Sequence, residues 1–262
     1  MYSRRPSFEP IDFLGDPPPR DLLILMAVLF VTFSLNFFEG TRAIPALLSL
    51  TPAVWQQGFL WQLVTYLFAP QPGSPFWFLL TLLIVFLFGK QVRARVGRRG
   101  FWLLLLQSAV TASVVAVGAQ LLLSLAGLAS PYPFVLMQGD RMVIAILIAA
   151  FATLFRGAVI HLFFVLPVRA RDFLWLEVLF AFMGFLLSGD FVGFLGITAA
   201  VAMTYGSLTG GARRMLREWR LRIERLLIEI RLRRMRKRRG IRLVKPDDGG
   251  DARRGDGDPW IH

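Results

Sequence analysis

Six apolar runs, separated by polar breaks, govern what this chain can fold into. A helix needs about 20 predominantly apolar residues to cross the hydrocarbon of a bilayer. A helix on a soluble protein instead keeps one polar face. The runs here carry almost no charge, and the chain as a whole is 55% hydrophobic, with a mean hydropathy of +0.57. Soluble domains contain about 45–50% apolar residues even with glycine counted. The expected class is therefore an all-α polytopic membrane protein with six transmembrane helices.

The expected spans are 22–38, 76–88, 101–125, 138–155, 173–187 and 192–208. The second is short for an independent crossing, and the basic stretch GKQVRARVGRRG after it reads as a loop. Ser130-Pro131-Tyr132-Pro133 closes the third span, HLFFVLPVRARD after the fourth reads as a short interfacial hairpin, and Ser188-Gly189-Asp190 is a tight turn. Residues 39–75 make a long first loop that is amphipathic and aromatic, with Trp55, Phe59, Trp61 and Tyr66 suited to the water–lipid boundary.

The net charge of +13 is concentrated between the runs and after Gly211. The loops at 90–99 and 156–171 and the tail are basic; those at 39–75, 126–138 and 188–191 are poor in lysine and arginine. Basic loops favour the cytoplasmic side, which predicts both termini there. Nucleic-acid binding is the weaker use of such charge, and no nucleic-acid partner is expected. Residues 1–21 form a proline-rich cytoplasmic lead-in, 22–210 the membrane domain, 211–240 a basic amphipathic cytoplasmic helix and 241–262 a flexible charged tail. No cleavable signal peptide is evident, because no small-residue cleavage site follows the first apolar run.

The stretch Gln138–Phe155 is the centre of the pattern. Polar residues at Gln138-Gly139-Asp140-Arg141 pass directly into an apolar helix with Ala145, Ala149 and Ala152 on one face. Small side chains let helices approach closely in a membrane. In the sixth run Gly196, Ala200 and Thr204 repeat at i, i+4 in the same way. The basic helix from Ala212 to about Arg239 carries an apolar stripe of Leu216, Trp219, Ile223, Leu226 and Ile230, fit either for anionic headgroups or for a partner helix.

Chemistry is narrowly bounded. The absence of cysteine removes disulfides, thiol catalysis and thiolate metal sites. His161 and His262 are the only histidines, too few for a metal site, and no Gly-rich phosphate loop or HExxH motif is present. No cofactor is expected.

Several segments resemble the rhomboid superfamily of intramembrane serine proteases. Gly58-Phe59-Leu60-Trp61-Gln62-Leu63-Val64-Thr65-Tyr66-Leu67-Phe68 is similar to the family's first-loop signature, with Gln62 in place of the usual arginine. Phe88-Gly89-Lys90, Gly97-Arg98-Arg99-Gly100-Phe101 and the central stretch followed by Leu162 to Arg171 add to the likeness. The resemblance covers about 20–210 and implies a six-helix rhomboid-like bundle in a bacterial cytoplasmic membrane. It also implies where catalytic groups would stand. The family's nucleophile slot falls on Gly139-Asp140-Arg141-Met142, with Arg141 at the serine position. Ile197 falls at the histidine position, and Trp77 and Thr81 at the positions that help to hold the oxyanion. No serine occurs between Pro131 and Val168, so a shift in register restores nothing. A serine nucleophile also needs a base within reach.

The resemblance thus implies a pseudoprotease that binds or stabilises other membrane proteins, as an accessory or scaffold subunit of a membrane complex or as a client-binding factor. Trp61, Asp140, Arg141 and the stripe on the basic helix are the candidate interaction residues, with anionic headgroups as a further partner of that helix. Asp140 and Arg141 read either as a polar gate or as a charged pair at a helix start, where an acid suits the helix dipole. Glu177 reads as an ion-pair partner of Arg169 or Arg171, reached by snorkelling. Two other functions stay open: a protease with an unrecognised site, and a small transporter or channel using Asp140, Arg141 and Glu177.

Overall fold

A computed structural model of the chain describes residues 19–128, 133–162 and 166–210. The chain divides into two units, Met1–Arg214 and Met215–His262, and the described residues all belong to the first. The basic helix with Leu216, Trp219, Ile223, Leu226 and Ile230, and the tail, lie outside the described residues.

The fold is mostly helical: α1 Arg20–Leu35, the short helices α2 Ala43–Leu48, α3 Ala53–Gln56 and α4 Gln62–Thr65, then α5 Pro75–Leu125, α6 Gly139–Leu154, α7 Phe173–Ser188 and α8 Phe191–Leu208. Two of these, α5 and α8, are long and apolar enough to cross a membrane. The expected hairpin after α6 is an antiparallel pair, β1 Val159–Leu162 and β2 Leu166–Arg169, with Val159 opposite Arg169.

Local chemistry sets the boundaries. Pro19 is extended and cannot continue a helix backwards, so α1 starts at Arg20; the lead-in therefore ends before Asp21, which is buried. Pro75 takes the first position of α5, where a missing N–H costs nothing. Gly189, at φ 70, ends α7 in the left-handed conformation that suits glycine. One expectation is corrected. The basic stretch after Phe88 is not a loop: α5 continues through it and breaks only at Gly97, with φ 74 and ψ 173. Lysine, arginine and glutamine are good helix formers, whereas that dihedral pair is open to glycine. Gly97 divides α5 into a first arm, 75–96, and a second arm, 98–125. The first arm spans about 33 Å at 1.5 Å per residue, with its apolar part ending at Gly89 and Lys90, Arg93 and Arg95 in its last two turns.

Contacts fix how the helices alternate. Asp21 of α1 bonds Arg93 and Arg98 on either side of the kink, while Phe33 stacks on Phe78 with ring centroids 3.9 Å apart. So α1 runs antiparallel to the first arm. The second arm runs antiparallel to α8: Ser108 bonds Thr204 at 2.8 Å and Gln107 donates to Ser207 at 2.7 Å. The small residues of α8 thus pack on the second arm as well as on α6; Gly196 sits against Ala116 and Met137. Polar bonds of this kind contribute about 0.6–2 kcal/mol each between membrane helices.

The most enclosed helix is α6, with Ala145, Ala149 and Ala152 fully buried together with Met142, Ile146 and Phe151. By contrast, α7 buries only Phe173 and Ala181 and exposes Trp175, Leu179, Phe180 and Leu187. One end of the bundle gathers Arg20, Lys90, Arg93, Arg95, Arg98, Arg99, Arg156, Arg169 and Arg171 at helix termini and the kink. The other end holds the 36–74 connection, the 133–138 turn and Asp190.

Candidate functional site

The loop end is a polar scaffold that holds backbone. Asp190 is fully buried and caps α8: its Oδ1 accepts from the Gly193 N–H at 2.8 Å and the Phe134 N–H at 3.2 Å, and its Oδ2 from the Leu136 N–H at 2.9 Å. One carboxylate therefore ties the turn before α6 to the start of α8. Phe134 stands at φ 70 in the left-handed region, which costs a bulky L-residue about 1–2 kcal/mol. Its N–H bond to Asp190 and its contact with the Trp55 ring hold it there.

Gln138 works the same way. Its side-chain amide donates to the Leu50 carbonyl at 2.8 Å and accepts from the Leu50 N–H at 3.1 Å, so it pairs with that residue as a β-strand neighbour would. Gly139, at φ 49, lies so close to Pro70 that a Cβ would overlap the proline backbone. Tyr66 donates to the Ala109 carbonyl at 2.8 Å, and Ser113 to the Leu63 carbonyl at 2.9 Å. Burial pushes the Tyr66 hydroxyl up, which keeps it a donor. Gln62 is buried; it donates to the Leu47 carbonyl and accepts from Thr51. Trp61 is exposed and stacks on Phe59 at 4.6 Å. The long connection is thereby docked on α6 and on the second arm of α5.

Below this scaffold a groove of about 250 Å³ opens between α6, α7 and α8. Arg141, Glu177 and Ile197 line it, with Leu136, Ala181 and Gly184. The positions expected for nucleophile and base are thus on one cavity. Trp77 and Thr81 are not among its lining residues, and Trp77 is exposed on the first arm of α5. Asp140 sits in the first turn of α6. The expected partners of Glu177 are corrected: Arg171 pairs with its neighbour Asp172 at 3.5 Å, and Glu177 faces the groove that Arg141 also lines. Glu177 lies one turn inside α7 and lines the groove together with Phe180, Ala181 and Gly184 of the same helix.

The chemistry available in this groove is limited. Arginine stays protonated in proteins and isoleucine has no polar atom, so neither can replace a serine or a histidine. The groove has no hydroxyl or thiol among its lining residues. Among the described residues no three histidine, aspartate or glutamate side chains converge on a point where a metal would bind.

A second, larger cavity of about 950 Å³ lies at the basic end, between α7 and α8. Arg156, Arg171 and Asp172 stand at its mouth with Trp175 and Tyr205, and Val178 and Val201 form its walls. The Arg156 guanidinium lies over the Tyr205 ring, 5.1 Å from its centroid.

Sequence reasoning missed two anchors. The lead-in boundary at residue 21 takes in Asp21, although an acid in the first turn after Pro17-Pro18-Pro19 marks a helix start. The tight turn at Ser188-Gly189-Asp190 also carries a cap: a Gly-Asp pair between two apolar runs is the signal of a helix stop followed by an N-cap. Comparison of the chain with protein-family models, curated proteins and solved structures finds no match.

Proposed function

We propose that this chain is a catalytically inactive, rhomboid-like membrane protein with six spans and both termini in the cytoplasm, and that it binds or stabilises other membrane proteins. The observation that carries the reading is the groove between α6, α7 and α8. The two positions where the resemblance puts nucleophile and base, Arg141 and Ile197, line it together, and neither residue can act in those roles. What surrounds the groove is built to hold a fold: Asp190, Gln138 and Gly139 all anchor backbone.

Membrane insertion is supported by the outer surface. Trp175 is 78% exposed, Leu187 86% and Phe180 63% on α7 alone, and contiguous apolar surface of this extent is matched by lipid or by a partner, not by water. The 16-residue helices span about 24 Å each, short of the hydrocarbon thickness, so interfacial residues or local thinning complete the crossing. The charge asymmetry between the two ends supports the orientation. Accessory binding fits a groove that is apolar apart from one guanidinium and one carboxyl group, since such a lining recognises a helix surface without offering a nucleophile.

The test is photo-crosslinking from Phe180 in native membranes, followed by isolation in mild detergent. A discrete crosslinked membrane protein, lost with Ala181→Phe, is the expected result. A chain that crosslinks only to lipid and runs alone at every detergent concentration sinks the reading. Cleavage of a model transmembrane substrate that is abolished by one substitution in the groove would establish an enzyme instead.

A further inference from the structure

The basic-end cavity is not used by the function proposed above, and its construction is specific. Clustered arginines alone are a topology signal, but here two of them line an open, mostly apolar cleft. Among the described residues no carboxylate pairs with Arg156, whose contact is the Tyr205 ring. Arg171 shares its charge with Asp172 at 3.5 Å. The mouth therefore keeps an excess of positive charge. Below it the walls are Val178 of α7 and Val201 of α8, and Trp175 and Tyr205 stand at the rim. Amphipathic rings favour the headgroup level of a bilayer.

We infer that this cleft binds an anionic phospholipid, with its headgroup phosphate held by Arg156 and Arg171 and an acyl chain laid between α7 and α8. This rests on the membrane part of the proposed function and not on partner binding. Charge complementarity selects the occupant. A basic pocket between helices on the cytoplasmic side suits an anionic headgroup, and the apolar walls exclude a free anion as the full occupant. At about 950 Å³ the cavity exceeds what a phosphate alone would fill. The chain's own next segment is a poor fit: 211–240 holds 13 basic residues against 3 acidic ones and would add like charge.

The experiment is native mass spectrometry of the full chain in mild detergent with phosphatidylglycerol or phosphatidylcholine added. Two arginines contribute about fivefold each near a charged headgroup, so retention of phosphatidylglycerol is expected to be about 25-fold better. The double variant Arg156→Gln, Arg171→Gln should bring the two lipids close to parity. The double variant Arg95→Gln, Arg99→Gln, at exposed positions on the same end, should keep the preference. Ala202→Phe, which fills the cleft without changing charge, should lower retention of both lipids. Equal retention of the two lipids by the native chain overturns the inference, as does an equal loss in the Arg95, Arg99 variant, which would indicate diffuse surface charge. Competition by inorganic phosphate as strong as that by lipid also overturns it. If the Arg156, Arg171 variant does not fold, Ala202→Phe decides: unchanged retention with unchanged melting removes the site. Vesicle flotation of the native chain reports membrane insertion separately, so the two readings fail independently.

Discussion

Replacing Asp190 by alanine removes three acceptor contacts at once, and the structure gives the size of the loss. The cap of α8 disappears with the Gly193 bond, at a cost of about 1 kcal/mol. The Phe134 and Leu136 amides are left in a buried setting without their acceptor, at about 1–2 kcal/mol each after some relaxation. The expected total is roughly 3–5 kcal/mol. Asparagine is a milder change. Its Oδ1 keeps the bonds from Phe134 and Gly193, but an NH₂ group then faces the Leu136 N–H, donor against donor. One bond is lost, at about 1–2 kcal/mol. The assay is unfolding of the full chain in mixed micelles by a denaturing detergent, with hydrogen exchange followed across 133–138. Exchange there should rise before global unfolding in Asp190→Asn, because Leu136 and Met137 fill the space beside Gly184 and Gly196 and lose their seat when the turn loosens. If Asp190→Ala unfolds within about 1 kcal/mol of the native chain, or if asparagine is as damaging as alanine, the tie between the turn and α8 is not what holds this end. Should the alanine variant fail to accumulate, the asparagine variant remains measurable.

Three further outcomes follow from the same reasoning. Asp21→Asn should destabilise by about 1–3 kcal/mol, with Arg93→Gln costing more than Arg98→Gln, because Arg98 is mostly exposed and screened while Arg93 is not; detergent unfolding at low and high salt checks the order. Gly139→Ala should cost about 3 kcal/mol or more, because it combines a positive φ with overlap onto the Pro70 backbone, whereas Gly157→Ala, with open space around it, should be neutral within about 0.5 kcal/mol. Gln138→Leu should release the 39–75 connection, raising its rate of proteolysis several-fold while α6 stays helical by circular dichroism.

The helices were legible because their signal is repeated over many residues. The fourth run was expected at 138–155 and forms Gly139–Leu154; the fifth was expected at 173–187 and forms Phe173–Ser188. The second failed for a definite reason. Arginine and lysine after Phe88 read as loop on polarity, yet both are helix formers whose long stems reach past the apolar surface. Lys90 is itself buried within that helix. The real break needed a residue able to hold φ 74, and of the two glycines in GKQVRARVG only the second does so; the first, Gly89, is glycine because Leu22 packs against it. Sequence spacing does not separate a glycine that bends backbone from one that admits a neighbour. Long-range polar ties were hidden for a related reason. The partner of Asp190 lies more than fifty positions back along the chain, on backbone amides that every residue type shares.

The groove makes the same point about function. Arg141 and Ile197 could be placed together only through a family pattern, because nothing in their own neighbourhoods links an arginine at 141 with an isoleucine at 197. The structure puts both on one cavity and adds Glu177, which the sequence reads as an ion-pair partner of Arg169 or Arg171 within the fifth span. That addition changes the physical character of the groove. Arg141 is exposed at the loop end of the groove, so its charge keeps its hydration at little cost to the fold. Glu177 supplies a group of opposite sign along the same cavity, and the cleft gains a direction, acidic toward the basic end of the bundle and cationic toward the loop end. A partner helix carrying polar groups in the reverse order would be read by that direction, while a purely apolar one would leave both groups without partners. On the proposed reading, selectivity among membrane partners comes from this pair, and Glu177→Gln and Arg141→Gln should each weaken capture of the same crosslinked protein while leaving unrelated lipid contacts on α7 unchanged.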